Sequence, residues 1–198
     1  GENKNALFKM QISAFEKAGY DYYVVPTWHT ETLEFPKGVS HTEKSRSQNE
    51  GALITDWNSF EAYDWPDPDK GNYDIYAELG REIPDGMKLI ACGYGGVLEN
   101  ATDIVGYENL CMISMMDEDL TKEIFDSIGV RLLRFYEIVS SIDSVGAIIG
   151  NDDWGFKSQT MFAPEMLRQF VFPWYKRIVE VAHRNNKLTI LHSCGNLS

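Results

Sequence analysis

The chain has 198 residues, 43% hydrophobic and 24% charged, which is the balance of a folded globular domain with a sizeable core. Acidic residues outnumber basic ones by 30 to 18, and the net charge of −12 disfavours both nucleic acid and an anionic membrane surface as partners. No apolar run approaches the roughly 20 residues that span a bilayer. Cys92, Cys111 and Cys194 are too few and too scattered for a disulfide framework, so a reducing compartment is expected, most simply the cytoplasm.

The first residues are polar, without an apolar signal segment, and Gly1 stands where a native start would have Met. Residues 4–18 place Leu7, Met10, Ile12, Ala14, Phe15 and Ala18 at helical spacing, and Gly19 ends that helix. Tyr20 to Pro26 is a short aromatic and β-branched run, a buried strand. Residues 27–51 are polar and irregular, too long for a plain loop, and predict a lid or small insertion. Trp65 to Gly71 is a turn-rich connector.

A second strand is predicted at Lys88–Cys92, running into Gly93-Tyr94-Gly95-Gly96, with a helix near Leu98–Val105. A longer helix covers about Glu118–Val139, with Ile124, Ile128, Leu132, Phe135 and Val139 on one stripe. A third strand, Val145–Ile149, runs into Asn151-Asp152-Asp153. Pro164 opens a helix that reaches about Asn185, with a kink expected at Pro173. The last strand, Leu188–Leu191, runs into His192-Ser193-Cys194-Gly195. Apolar strands alternating with amphipathic helices predict an α/β fold with a parallel sheet. A (β/α) barrel and an open doubly wound sheet both fit, although no G-x-G-x-x-G follows the first strand.

Polar and Gly-rich clusters fall at the C-terminal end of every predicted strand: Trp28 and His29, Gly93 to Gly96, Asp152 and Asp153, then His192 and Cys194. Parallel α/β folds build their sites at that edge. His192 and Cys194 are two apart, so both point to one side, and imidazole with thiolate suits zinc. The plainer alternative is a buried cysteine beside a core histidine. Asp152 and Asp153 point to opposite sides, so one can face a pocket as acid, base or cation partner while the other ties down backbone. An Asx turn or a helix cap is the competing reading. Gly93 to Gly96 permit close backbone approach to a ligand, or simply a strained turn. Trp28, Trp57, Trp65, Trp154 and Phe156 can wall a pocket or fill the core. Asp117-Glu118-Asp119 reads as a helix N-terminus.

From Asn151 the chain reads N-D-D-W-G-F-K-S-Q-T-M-F-A-P-E-M-L-R-Q-F, and later L-H-S-C-G-N-L. Together with Gly95-Gly96-Val97-Leu98 and Gly106-Tyr107-Glu108-Asn109-Leu110, this resembles the uroporphyrinogen decarboxylase superfamily, nearest its methyltransferase-like branch. The resemblance is clear over residues 80–198, weaker over 52–70, and poor before that. It implies a (β/α)8 barrel of the TIM type, with residues 1–198 as one incomplete portion. Two activities follow from it. One is zinc-dependent methyl transfer between a methylated corrinoid and a thiol. The other is cofactor-free uroporphyrinogen decarboxylation. A non-catalytic module that binds a tetrapyrrole or corrinoid is the third possibility.

By the resemblance, His192 and Cys194 are the metal ligands, and the family's further downstream Cys has no match before Ser198. The family's glutamate near the Gly-rich turn has no match at Tyr94, and Glu99 lies further along. Asp152 and Asp153 are the expected catalytic residues. Tyr94, Gly95, Gly96, Trp154 and Gln159 are the expected substrate-binding ones. The decarboxylase's arginine-rich N-terminal motif is not visible, and a family pocket serine falls near Asp152. A corrinoid protein is an implied partner. An incomplete barrel exposes sheet edges, so a homo-oligomer is expected.

Overall fold

A computed structural model describes residues 2–25, 27, 32–38 and 51–197. Trp28, His29, Arg46 and most of the 27–51 insertion lie outside the described residues. The elements in chain order are α1 (Glu2–Lys17), β1 (Tyr22–Val25), α2 (Trp57–Ala62), α3 (Asp74–Gly80), β2 (Lys88–Cys92), α4 (Val97–Val105) and α5 (Tyr107–Met116). They continue with α6 (Glu118–Ser140), β3 (Val145–Asn151), α7 (Pro164–Met166), α8 (Phe172–Arg184) and β4 (Leu188–His192).

The four strands form one parallel sheet in the order β1-β2-β3-β4. A doubly wound sheet reverses its strand order at a switch point. Consecutive order with a helical crossover after each strand is the barrel arrangement, and these strands make up part of one. Register aligns Val24 with Ile90, Ile90 with Ala147 and Ala147 with Leu188. The opposite set, Tyr23, Val25, Leu89, Ala91, Val145 and Ile148, is buried in the main core under the helices. In α6 the predicted stripe of Ile124, Ile128, Leu132, Phe135 and Val139 is fully buried, facing that core. β4 is an edge strand, and its Leu188, Ile190 and Leu191 are exposed.

The kink expected at Pro173 takes a specific form. Pro173 has no N–H to give the preceding turn, and its ring crowds that turn's carbonyls. The helix widens into a π turn over Leu167–Val171 before α8 resumes. Among the described residues, no helix is long and apolar enough to cross a membrane.

Candidate metal centre

Because the strands are parallel, the chain leaves β3 and β4 at the same edge of the sheet. Asn151 pairs with His192 in register, so the loops that follow start side by side. Four hydrogen bonds then fasten one loop to the other. The Asp152 N–H donates to the His192 carbonyl at 3.0 Å and the Trp154 N–H to Ser193 Oγ at 3.1 Å. The Cys194 N–H donates to Asp153 Oδ1 at 2.7 Å, and the Asn196 N–H to the Phe156 carbonyl at 2.7 Å. The result is a three-residue cluster, Asp153, His192 and Cys194, whose ligand atoms all lie within 4.8 Å of one another. Cys194 Sγ stands 3.3 Å from His192 Nε2. A hydrogen bond to the neighbouring Asp153 carboxylate favours the protonated Cys194 thiol and pushes it upward, with desolvation and the Asp153 charge adding to the rise.

The two adjacent aspartates divide their work. Asp153 lines a cleft of about 380 Å³ together with Lys37, Gly95, Glu99, Asn151 and Met161. Asp152 is wholly buried. It accepts from the Leu98 N–H at 3.1 Å, the Glu99 N–H at 2.8 Å and Trp154 Nε1 at 2.8 Å, and from the Tyr175 hydroxyl. It therefore holds down the first turn of α4, where the helix dipole favours an anion. Burial pushes its carboxyl up to about 6, and these donors oppose the rise. Gly96 has no room for a side chain, because a Cβ there would lie 2.2 Å from the Asp152 side chain and 2.3 Å from the Tyr175 hydroxyl.

Glu99 enters the cleft through this anchored turn. It accepts from the Gly96 N–H at 3.2 Å and lies 3.3 Å from Asn151 Nδ2. Burial, with the Asp152 charge behind it, pushes its carboxyl from 4.5 up to about 7. The folded chain thus holds a proton that the unfolded chain has released, and the stability this group contributes falls as pH rises from 4.5 to 7. Glu99→Gln is expected to match the parent at pH 4 and to exceed it at pH 8. The gain is about 2 kcal/mol, allowing for partial exposure of the group. Urea midpoints across pH measure this, and parallel curves for the two proteins would refute it.

The other sequence candidates are spread more widely. The Tyr94 hydroxyl donates to the Thr27 carbonyl, and Gly95 lines the cleft. Trp154 is buried, with its ring against Phe172 and Tyr175, so it supports the site from behind. Gln159 is exposed on the loop after β3 and accepts the Phe156 N–H through its carbonyl. Sequence reasoning passed over Glu99 and Asn151 as cleft residues. The signal available for Glu99 was its place three after Gly96 at a helix start, which suggests a capping glutamate rather than a cleft acid.

The family model described as "Uroporphyrinogen decarboxylase (URO-D)" matches residues 2–198. Among solved structures, a methyltransferase from Methanosarcina mazei superposes with a TM-score of 0.62 at 15% sequence identity. The match covers 94% of this chain and 55% of that one, so the chain spans about half the length of this structural relative. At that identity the likeness is one of fold. A comparison with curated proteins finds no match.

Proposed function

The chain belongs to the uroporphyrinogen decarboxylase family, and from that premise we propose that it carries a zinc site for methyl transfer to a thiol. The observation that carries the reading is the meeting of Asp153, His192 and Cys194 at the C-terminal edge of the sheet. Nitrogen, sulfur and oxygen donors together suit zinc, and three protein ligands leave one position open for substrate. A tetrahedral zinc with its usual bond lengths separates a thiolate sulfur from an imidazole nitrogen by about 3.5 Å. The observed 3.3 Å fits that spacing. Among the described residues, Asp153 is the group placed to supply the third ligand.

When bound, zinc would hold an incoming thiol as its thiolate at neutral pH. The chain's own residues do the rest. His192 and Cys194 are fixed by the register of β4 and by the clamp between the two loops. Asn151 and Glu99 line the cleft beside Asp153 and would hold a polar group of the substrate. The methyl donor in this reading is a methylated corrinoid: the new bond is sulfur to carbon, and the electron pair of the broken cobalt–carbon bond stays on cobalt.

Charge also favours this reading over decarboxylation of a polycarboxylate. Lys37 is the one cation lining the cleft among the described residues, and it is paired with Asp103 at 2.5 Å. Arg131 and Arg134 are engaged with the connector at Pro66 and Asp69, and Arg177 lies over Trp174. Among the described residues, a substrate bearing several carboxylates would meet Glu99 and Asp153 with Lys37, already paired, as the one cation lining the cleft. Cytoplasmic placement and a corrinoid-protein partner accompany the methyl-transfer reading.

Elemental analysis of the purified chain is expected to give about one zinc per chain, lost in Cys194→Ser while the far-UV spectrum is unchanged. Cobalt(II) substituted for zinc is expected to show sulfur-to-metal charge-transfer bands that vanish in the same variant. A chain that takes up neither metal would overturn the proposal.

A further inference from the structure

α5 presents a surface that the candidate centre does not use. Met112, Met115 and Met116 are 55%, 88% and 85% exposed. Trp57, 40% exposed, borders them through a hydrogen bond from its Nε1 to Asp117 Oδ2 at 2.9 Å. Beside them runs a groove of about 440 Å³ whose apolar lining includes Met115, Met161, Phe162, Met166 and Phe170. A contiguous exposed apolar surface of this kind marks an interaction site. Methionine is the residue type that adapts its shape to a partner's side chains.

Charge identifies what the surface takes. Glu118 and Glu165 line the groove, and no Lys, Arg or His does so among the described residues. Glu108, one turn before Met112, and Asp117 and Asp119 beyond Met116 extend the acidic border. Arg168 lies 3.7 Å from Glu165 with both side chains largely exposed, and Lys122, beside Asp119, is paired with Asp126 at 2.5 Å. A second copy docking by the same face would bring these acids against one another, within a chain of net charge −12.

We propose that this face docks a partner protein through an amphipathic helix, its apolar side chains in the methionine groove and its lysines or arginines against the acidic border. Met161 lines both this groove and the cleft, so the docked partner sits at the rim of the candidate metal centre. The inference does not depend on zinc or on methyl transfer.

The probe is a synthetic helical peptide with leucine on one face and lysine on the other, with a leucine–glutamate peptide as its control. The lysine peptide is expected to change Trp57 fluorescence and to shift the methyl resonances of Met112, Met115 and Met116. The double variant Met115→Gln, Met116→Gln alters only exposed side chains and is expected to weaken binding about tenfold or more. Glu118→Gln with Glu165→Gln is expected to weaken it as well, while Cys194→Ser leaves it unchanged. Three outcomes would overturn the proposal. The methionine variant could bind as tightly as the parent, which means charge attraction alone. The glutamate peptide could bind equally well, which means apolar adhesion alone. Sedimentation could reveal a dimer that the methionine variant dissolves, which makes a second copy the occupant.

Discussion

Asp152→Ala is expected to destabilise the chain by about 3–5 kcal/mol, because it removes the common acceptor of several buried donors. Leu98 N–H, Glu99 N–H and Trp154 Nε1 all end on this carboxylate, and the Tyr175 hydroxyl joins them. Without it the first turn of α4 loses its anchor, and Trp154 keeps a buried N–H with nothing to receive it. Asp152→Asn keeps one oxygen acceptor and sheds the charge, so its cost is expected to be less than half as large. The pH dependence separates the two roles. Burial raises the folded carboxyl from 3.8 to about 6, so the stability contributed by this group falls as pH rises between those values. The Asn variant is expected to lose that slope and to keep most of the fold. Urea unfolding followed by tryptophan fluorescence measures both. A cost below about 1 kcal/mol for the Ala variant would mean that the α4 turn is held by something other than Asp152.

The strands and the edge that carries the chemistry are legible in the sequence because each strand is a mostly apolar run that stops at polar or Gly-rich residues. Lys88–Cys92 and β4 differ from their predicted spans by at most one residue. α6 is equally legible, since its stripe from Ile124 to Val139 continues over about four turns. Three helices are not. α2 and α3 have six and seven residues, too short for a period of 3.6 to declare itself. α5 buries only Leu110 and Ile113 and turns Met112, Met115 and Met116 outward, so its apolar residues form no single stripe. Strand order was open for a physical reason as well: barrel and doubly wound sheets share the same alternation of elements, and only the pairing distinguishes them. The third ligand of the candidate centre rests on a contact between residues 41 apart, Cys194 and Asp153, made by two loops whose positions follow from that pairing. H-x-C is visible in one strand end, but its partner becomes visible only once β3 and β4 are neighbours.

That clamp can be tested at Gly195. Its φ is +85°, and a Cβ there would lie 2.0 Å from the Gly155 carbonyl oxygen and 2.2 Å from the carbonyl carbon. Both atoms are backbone, so no side chain can swing aside to make room. Gly195→Ala therefore has to part the two loops between the Cys194–Asp153 bond on one side and the Asn196–Phe156 bond on the other. The ligand residues themselves stay intact, and only their mutual placement changes. Zinc affinity, measured by competition with a chromophoric chelator, is expected to fall about 10–100-fold, the usual effect of disturbing the groups that orient metal ligands. Gly19→Ala is the control: its φ is +84°, but nothing lies within 4 Å of the added methyl. It is expected to incur only the left-handed strain of about 1 kcal/mol and to bind zinc as the parent does. If Gly195→Ala also binds zinc like the parent, the two loops do not jointly form the site, and His192 with Cys194 must be completed by a ligand other than Asp153.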